Sequence, residues 1–396
     1  MLELIINKNK ENKIITLVEN GKLLEVYEEN NQDSRNEGNI YIGVVKDIVK
    51  GMQSAFVDIG TEKNSLIHLK DILPKIDQKK ESKDFSKIDI KDVVKPNDKL
   101  MVQIKKDSNE KKGARVSTHI NLPSKYIVLM PNTDIITISQ KIESQKEQER
   151  LFKIVKANLP QNMGAIIRTS AQDKSEEDII KDVKHSINKW NTILKTKNKL
   201  EPQAPQKIYE SQTIEEKIIV DTFNKNLKKI IVNDKKEYKK MVELQKENDD
   251  YNQIEIALEE KENILQIYDL EKQIAKTKER KVWLNCGGFI TIDKTEALTA
   301  IDINTGKYTG SKSLEETVYK VNKEATTEIA KQLKLRDIGG IIIIDYIDMN
   351  SEANKQKIEE LLKEELKKDR AKTQVEGFTK LDLMELTRKH ICSHND

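Results

Sequence analysis

Two β-branched runs in this chain end in acids. Residues 296–304 read EALTAIDIN, which sets Asp302 and Asn304 at the end of one run. Residues 339–349 read GGIIIIDYIDM, which sets Asp345 and Asp348 at the end of the other. A hard cation such as Mg²⁺ takes oxygen ligands, keeps several waters and needs only one or two protein carboxylates. Two strands delivering carboxylates to one end of a sheet would supply such a site, the hardware of metal-assisted phosphoryl chemistry. A single strand-end aspartate more often caps the following helix. Two of them, each closing a β-branched run and with Asn304 beside them, favour the metal site. Asn304 stands two residues after Asp302, on the same side of a persisting strand, where it could fix a metal-bound water or a phosphate. Asp348 stands just beyond, as an outer group.

Positioning these acids falls to the elements between them. Asp302 and Asp345 are 43 residues apart. Leu314, Val318, Val321, Ala325, Ile329 and Leu333 recur at helical spacing in that interval. A strand–helix–strand crossover makes the two strands parallel neighbours, with the acids at the carboxyl ends where open α/β sheets bind ligands. A charged helix is predicted over 351–368, and a glycine-kinked β-pair over 283–293. The last 110 or so residues therefore read as α/β layering.

Upstream, alternating runs broken at Glu19-Asn20-Gly21 predict two or three strands and a hairpin. Closely spaced β-runs between 39 and 104, with glycines at the bends, suit a small antiparallel barrel. The lysine-rich stretch between Asp71 and Asp98 reads as an exposed loop. Phe56 is a candidate for stacking nucleic-acid bases, although composition alone favours a place in the core. His68 lies near the next β-run, and Lys111, Lys112 and Arg115 add positive charge to the barrel region. Residues 126–130 and 164–169 read as strands, 146–157 and 175–195 as helices, and 201–205 (EPQAP) as a boundary. Arg168 and Thr169 could clamp a terminal phosphate, or form an ordinary edge-strand pair.

Charged residues make up 35% of the 396 and hydrophobic ones 36%, with net charge +3. Such a balance excludes neither a basic face nor a folded core. Length allows two to four domains. No apolar run approaches the roughly 18 residues of a membrane helix, and the first residues do not read as a secretory signal. Two cysteines argue against a disulfide framework and for a reducing compartment. Cys286 reads as a buried small hydrophobe. Cys392 with His394 gives too few ligands for a closed zinc site. Of the eight arginines, most are expected to be surface solubilisers.

The segments GNIYIG (38–43), AFVDIG (55–60), YIVLMP (126–131), GAIIRT (164–169), EALTAIDIN (296–304), LKLRDIGG (333–340) and IDYIDM (344–349) together resemble the catalytic region of the ribonuclease E/G endoribonucleases, over nearly the whole chain. The resemblance implies an α+β multidomain fold. An RNase-H-like domain (1–36 and 207–279) is split by an OB-fold RNA-binding domain of the ribosomal S-one type (37–119) and a 5′-phosphate sensor (120–206). A deoxyribonuclease-I-like α/β catalytic domain (280–389) and a tail (390–396) follow. It further implies Asp302 and Asp345 as Mg²⁺ ligands, arranged by Asn304. Phe56 and Lys112 would hold RNA, and Arg168, Thr169 and Val128 would sense a 5′-phosphate. The expected activity is Mg²⁺-dependent cleavage of single-stranded RNA to 5′-phosphate and 3′-hydroxyl ends, in cytoplasmic rRNA processing and mRNA decay. The family's second barrel aromatic is Leu66 here, and its basic sensor pair is Gln140-Lys141. The family's C-P-x-C motif, through which two subunits share zinc, is absent, which counts against Zn²⁺ but leaves a homodimer or homo-oligomer expected by other contacts. The competing readings are a non-catalytic RNA-binding scaffold and a metal-dependent deoxyribonuclease.

Overall fold

The computed structural model describes residues 1–30, 36–72, 88–108, 112–223, 227–246, 248–307 and 314–391. The chain forms two compact units. One is built from the first 33 residues together with those from Thr222 onward, the other from Ser34–Asp221. No helix among the described residues is long and apolar enough to cross a membrane.

Strands β1 (Leu2–Lys8), β2 (Asn12–Glu19) and β3 (Lys22–Asn30) form an antiparallel meander. Asn20 and Gly21 both take positive φ (50° and 77°). This is the two-residue hairpin turn that Asn-Gly favours, because its twist matches that of the flanking strands.

The second unit opens with the barrel. Strands β4 (Ile40–Val49), β5 (Ser54–Asp58) and β6 (Ser65–His68), helix α1 (Ile90–Val93), then β7 (Lys99–Lys106) and β8 (Arg115–Ser117) follow in the chain. The strands pair in the order β4-β5-β6-β8-β7, and β7 pairs back onto β4, which closes five strands into a ring. The described part of the expected 71–98 loop does more than span solvent. Asp89 caps α1, and Ile90 and Val94 are buried in the barrel core with Val57, Ile67 and Val102. Four short strands come next: β9 (Leu122–Pro123), β10 (Ile127–Met130), β11 (Ile136–Ile138) and, after helix α2 (Gln145–Asn158), β12 (Gly164–Ile167). Helix α3 (Glu176–Leu200) packs on their sheet, ordered β11-β12-β10-β9. The buried Asp182 of α3 accepts from the Tyr126 N–H at 2.8 Å and from the Ser124 hydroxyl. Strand β13 (Gln206–Tyr209) pairs with β4, so the expected 206/207 boundary falls inside a strand of the barrel sheet. Helix α4 (Ile214–Thr222) carries the chain to Asp221, the last residue of this stretch.

The first unit resumes with β14 (Leu227–Val232), α5 (Lys235–Lys246), β15 (Glu255–Leu258), α6 (Ile264–Ile267) and α7 (Glu271–Thr277). The N-terminal meander gains β14 and β15, both in parallel pairings, to give the order β15-β14-β1-β2-β3. The remaining elements are β16 (Lys281–Trp283), β17 (Phe289–Lys294), β18 (Leu298–Asn304), α8 (Leu314–Leu335), β19 (Gly340–Asp345), α9 (Glu352–Lys367), β20 (Thr373–Phe378) and β21 (Leu383–Arg388). They form a mixed sheet ordered β16-β17-β18-β19-β21-β20, in which only β18 and β19 run parallel.

Helices α8 and α9 cover one face of this sheet. Val318, Val321, Ala325, Ile329 and Leu333, with Ile358, Leu362 and Leu366, pack against Ile301, Ile303, Ile342 and Ile344. Burying each Val, Ile or Leu of this kind contributes about 1.5–3 kcal/mol. Leu314, expected in the stripe, is 80% exposed at the start of α8 and takes no part. The arginines are less superficial than expected. Arg388 is fully buried between Asp369 (2.7 Å) and Asp337 (2.8 Å). Arg370 bonds the buried Glu25 (2.6 Å) and the Tyr27 hydroxyl (2.6 Å), which ties the meander to the C-terminal layer. Removing one member of such a buried set costs about 3–5 kcal/mol.

Candidate metal centre and nucleic-acid interface

The alternation of β18 and β19 decides where the acids point. Ile301 and Ile303 are buried under α8 and α9, so Asp302 and Asn304 face the other side, where Ala300, Asp302, Ile341 and Asp345 are exposed. Ile342 and Ile344 are buried likewise, which turns Asp345 outward. Asp302 and Asp345 are register partners across the parallel ladder, one strand spacing of about 4.8 Å apart in backbone. The expected crossover geometry is thus present, and the two carboxylates stand side by side on that face.

Asn304 donates its side-chain amide to Asp302 Oδ2 at 2.6 Å. This bond orients the carboxylate. Burial, then the charges of Asp302 and Asp348, push the Asp345 carboxyl above the usual aspartate range. Anions crowded in this way are what a divalent cation would relieve. Among the described residues no three His, Cys, Asp or Glu side chains form a ready cage. Mg²⁺ does not require one, since one or two carboxylates and retained waters suffice. The donor set therefore fits Mg²⁺.

The segment after β19 is held by α8 through residues that the sequence reading passed over. Asn322 is fully buried. It donates to the Ile347 carbonyl (2.8 Å) and accepts from the Ile347 N–H (3.2 Å). Its one visible signal was position: it lies four residues after Val318, on the core-facing stripe, where a polar side chain must find partners. Glu315 accepts from the Asn350 and Ser351 N–H groups and from the Asn354 amide at 3.2, 3.3 and 3.0 Å. The loop carrying Asp348 is therefore clamped at two points.

In the barrel, Phe56 is 36% exposed and points outward from β5, whereas composition favoured the core. Leu66 is its direct cross-strand partner, so the place for a second aromatic lies beside it. Lys112 is exposed, and Lys111 lies outside the described residues. His68 caps the turn after β6 by accepting from the Lys70 N–H. Arg115 pairs with Asp71 at 2.8 Å.

The strand expected over 164–169 stops at Ile167, and Arg168 and Thr169 open a short turn. Val128 is the register partner of Ile166. Arg168 lies two residues beyond Ile166, so Val128 and Arg168 share a face. The guanidinium is already engaged: Nη2 bonds Asp221 (2.5 Å) and Nη1 the Ser124 carbonyl (2.6 Å). The Thr169 hydroxyl bonds that of Ser139 at 2.9 Å. Asp221 was not singled out from the sequence, because 53 residues separate it from Arg168. Cys286 is half-buried rather than fully so. Burial raises its thiol pKa, and its N–H donates to Glu324 at 3.1 Å. Cys392 and His394 lie outside the described residues.

Comparison with known proteins agrees with this layout. Residues 34–119 match the S1 RNA binding domain, and residues 121–391 match the Ribonuclease E/G family. Ribonuclease G of Escherichia coli K12 is 38% identical over 392 residues, covering 98% of this chain and 79% of that protein. Ribonuclease G of Haemophilus influenzae is 38% identical over 391 residues, with the same coverage. Ribonuclease E of Buchnera aphidicola is 32% identical over 402 residues, 99% of this chain but 41% of that longer protein. With closed barrel, mixed sheet and similarity along nearly the whole of this chain in agreement, the chain belongs to the ribonuclease E/G family.

Proposed function

We propose that this chain is a Mg²⁺-dependent endoribonuclease that cuts single-stranded RNA, leaving 5′-phosphate and 3′-hydroxyl ends, in RNA processing and decay in the cytoplasm. The observation that carries the reading is the register pairing of Asp302 with Asp345 on the sheet face opposite α8 and α9, with Asn304 bonded to Asp302. Mg²⁺, when bound, supplies Lewis-acid polarisation of a phosphodiester and lowers the pKa of a bound water. Asp302 and Asp345 would hold it. Asn304 bonds one Asp302 oxygen and so fixes the carboxylate that would hold the cation. Asp348 adds negative charge that favours cation binding. The clamp by Asn322 and Glu315 fixes the loop, so the site needs little reorganisation.

Phe56 and Lys112 would grip the strand by stacking and by phosphate contact. Arg168, Thr169 and Val128 would receive a 5′-monophosphate, with Asp221 as the anion that the phosphate must displace. In domain terms, the proposal assigns an RNase-H-like sheet to the N-terminal meander with β14 and β15, a 5′ sensor to the β9–β12 sheet, and a deoxyribonuclease-I-like fold to the C-terminal layer. A homo-oligomer is part of the proposal, and solution mass at native concentration tests it. The nuclease assignment is tested by digesting RNA and DNA of equal sequence. RNA cleavage that stops with EDTA and returns with Mg²⁺ supports it. Cleavage of DNA alone, or RNA binding without any cleavage, overturns it.

A further inference from the structure

The face of the C-terminal sheet opposite helices α8 and α9 carries a second group of side chains beside the carboxylates. Trp283 on β16 is 59% exposed, a large apolar surface left in water. Its ring meets Phe289 edge-to-face, with centroids 5.3 Å apart. The Lys281 ammonium sits 4.1 Å from the Trp283 ring and 3.4 Å from that of Phe289. Register fixes their distance from the acids. Trp283 pairs with Phe289, and Phe289 pairs with Asn304. The two rings therefore stand one and two strand spacings, about 5 and 10 Å, from the Asn304 strand.

We infer that Trp283, Phe289 and Lys281 form a shelf on which a nucleobase flanking the scissile phosphate stacks. The inference rests on the reading of Asp302 and Asp345 as the cleavage centre. Aromatic faces accept any base, and a cation among them attracts the phosphate chain. The occupant is thus single-stranded RNA, favoured over a protein partner by the lysine charge and by continuity with the carboxylate pair. Phe289, braced by Lys281 and its strand neighbours, supports the indole, and Trp283 offers the exposed area.

The test uses the full chain and its own fluorescence. Of the two tryptophans, Trp190 is buried and Trp283 exposed, so quenching by RNA reports on the shelf. A single-stranded oligoribonucleotide added in EDTA should quench wild type and Asp302→Asn equally. Trp283→Ala should abolish the quench and raise KM about 5- to 150-fold, with kcat little changed, whereas Trp283→Phe should retain most of the affinity. A substrate with an abasic nucleotide beside the cleavage site should be insensitive to Trp283→Ala. If Asp302→Asn is inactive but Trp283→Ala leaves KM and quenching unchanged, the shelf is wrong and the cleavage centre stands. If Asp302→Asn cleaves normally, the centre itself is wrong. Quenching produced by raising protein concentration without RNA would mark a contact between copies and overturn the inference.

Discussion

Asn322→Ala isolates the link between helix α8 and the acidic loop. The native side chain is fully buried and satisfies both backbone groups of Ile347, at 2.8 and 3.2 Å. Truncation leaves an N–H and a carbonyl without their partner, each costing about 1–3 kcal/mol when water cannot replace it. Ile347 is half-buried, so the lower end applies to each. The small cavity left under the loop adds to the sum, and the expected loss is about 2–4 kcal/mol. Native-state hydrogen exchange reads this at one atom. The Ile347 amide should exchange at least about 30-fold faster, the factor for a 2 kcal/mol loss, while amides in the barrel stay unchanged. The loop leads out of Asp345 and carries Asp348, so the Mg²⁺ concentration for half-maximal cleavage should rise about 10- to 100-fold, as for other outer-sphere losses. Unchanged exchange at Ile347 would refute the clamp. Faster exchange with an unchanged Mg²⁺ midpoint would refute its role in the site.

Three further outcomes follow from the same geometry. Asp221→Asn removes the anion held against Arg168. An ion pair of this partial exposure is worth about 1 kcal/mol, so the preference for 5′-monophosphate over 5′-hydroxyl RNA in kcat/KM should rise about fivefold; a constant or falling ratio would count against the sensor. Gly113→Ala would place a Cβ 2.0 Å from the Asn64 carbonyl oxygen, forcing the loop beside Lys112 to move at a cost of about 1–3 kcal/mol. Circular-dichroism melting should show the loss, RNA affinity should fall, and wild-type affinity would contradict a role for that loop. The Asn354 amide, then the Asn350 N–H, hold the Glu315 carboxyl below the usual range. Its contribution is therefore full above the ordinary glutamate value of 4.5 and is lost as pH falls through the lower folded one. The stability gap between wild type and Glu315→Gln should be flat near neutrality and close in acid; a gap that widens in acid would reverse the sign.

The sequence was most readable where one periodicity ruled. The α8 stripe, the Asn20-Gly21 hairpin and the two acidic strands needed only alternation, helical spacing and turn chemistry, and the structure places them accordingly. It was least readable where the deciding contact is distant in the chain. Nothing local to Arg388 announces Asp337 and Asp369, 51 and 19 residues away. Ile90 sits in a charged stretch and becomes core only because the barrel closes around it. Phe56 could face either way until its neighbours Ala55 and Val57 proved buried. Trp283 was visible as part of a β-pair, but its exposure depends on β16 being the edge strand of its sheet.

The proposed function requires Asp302 and Asp345 to hold the cleaving metal together. Cleavage of a single-stranded RNA by Asp302→Asn and Asp345→Asn, measured beside RNA affinity in EDTA, tests it most directly. Each variant should lose at least about 100-fold in cleavage at saturating Mg²⁺, more than an outer-sphere loss, while binding RNA as tightly as wild type. Wild-type cleavage by either variant would contradict the account.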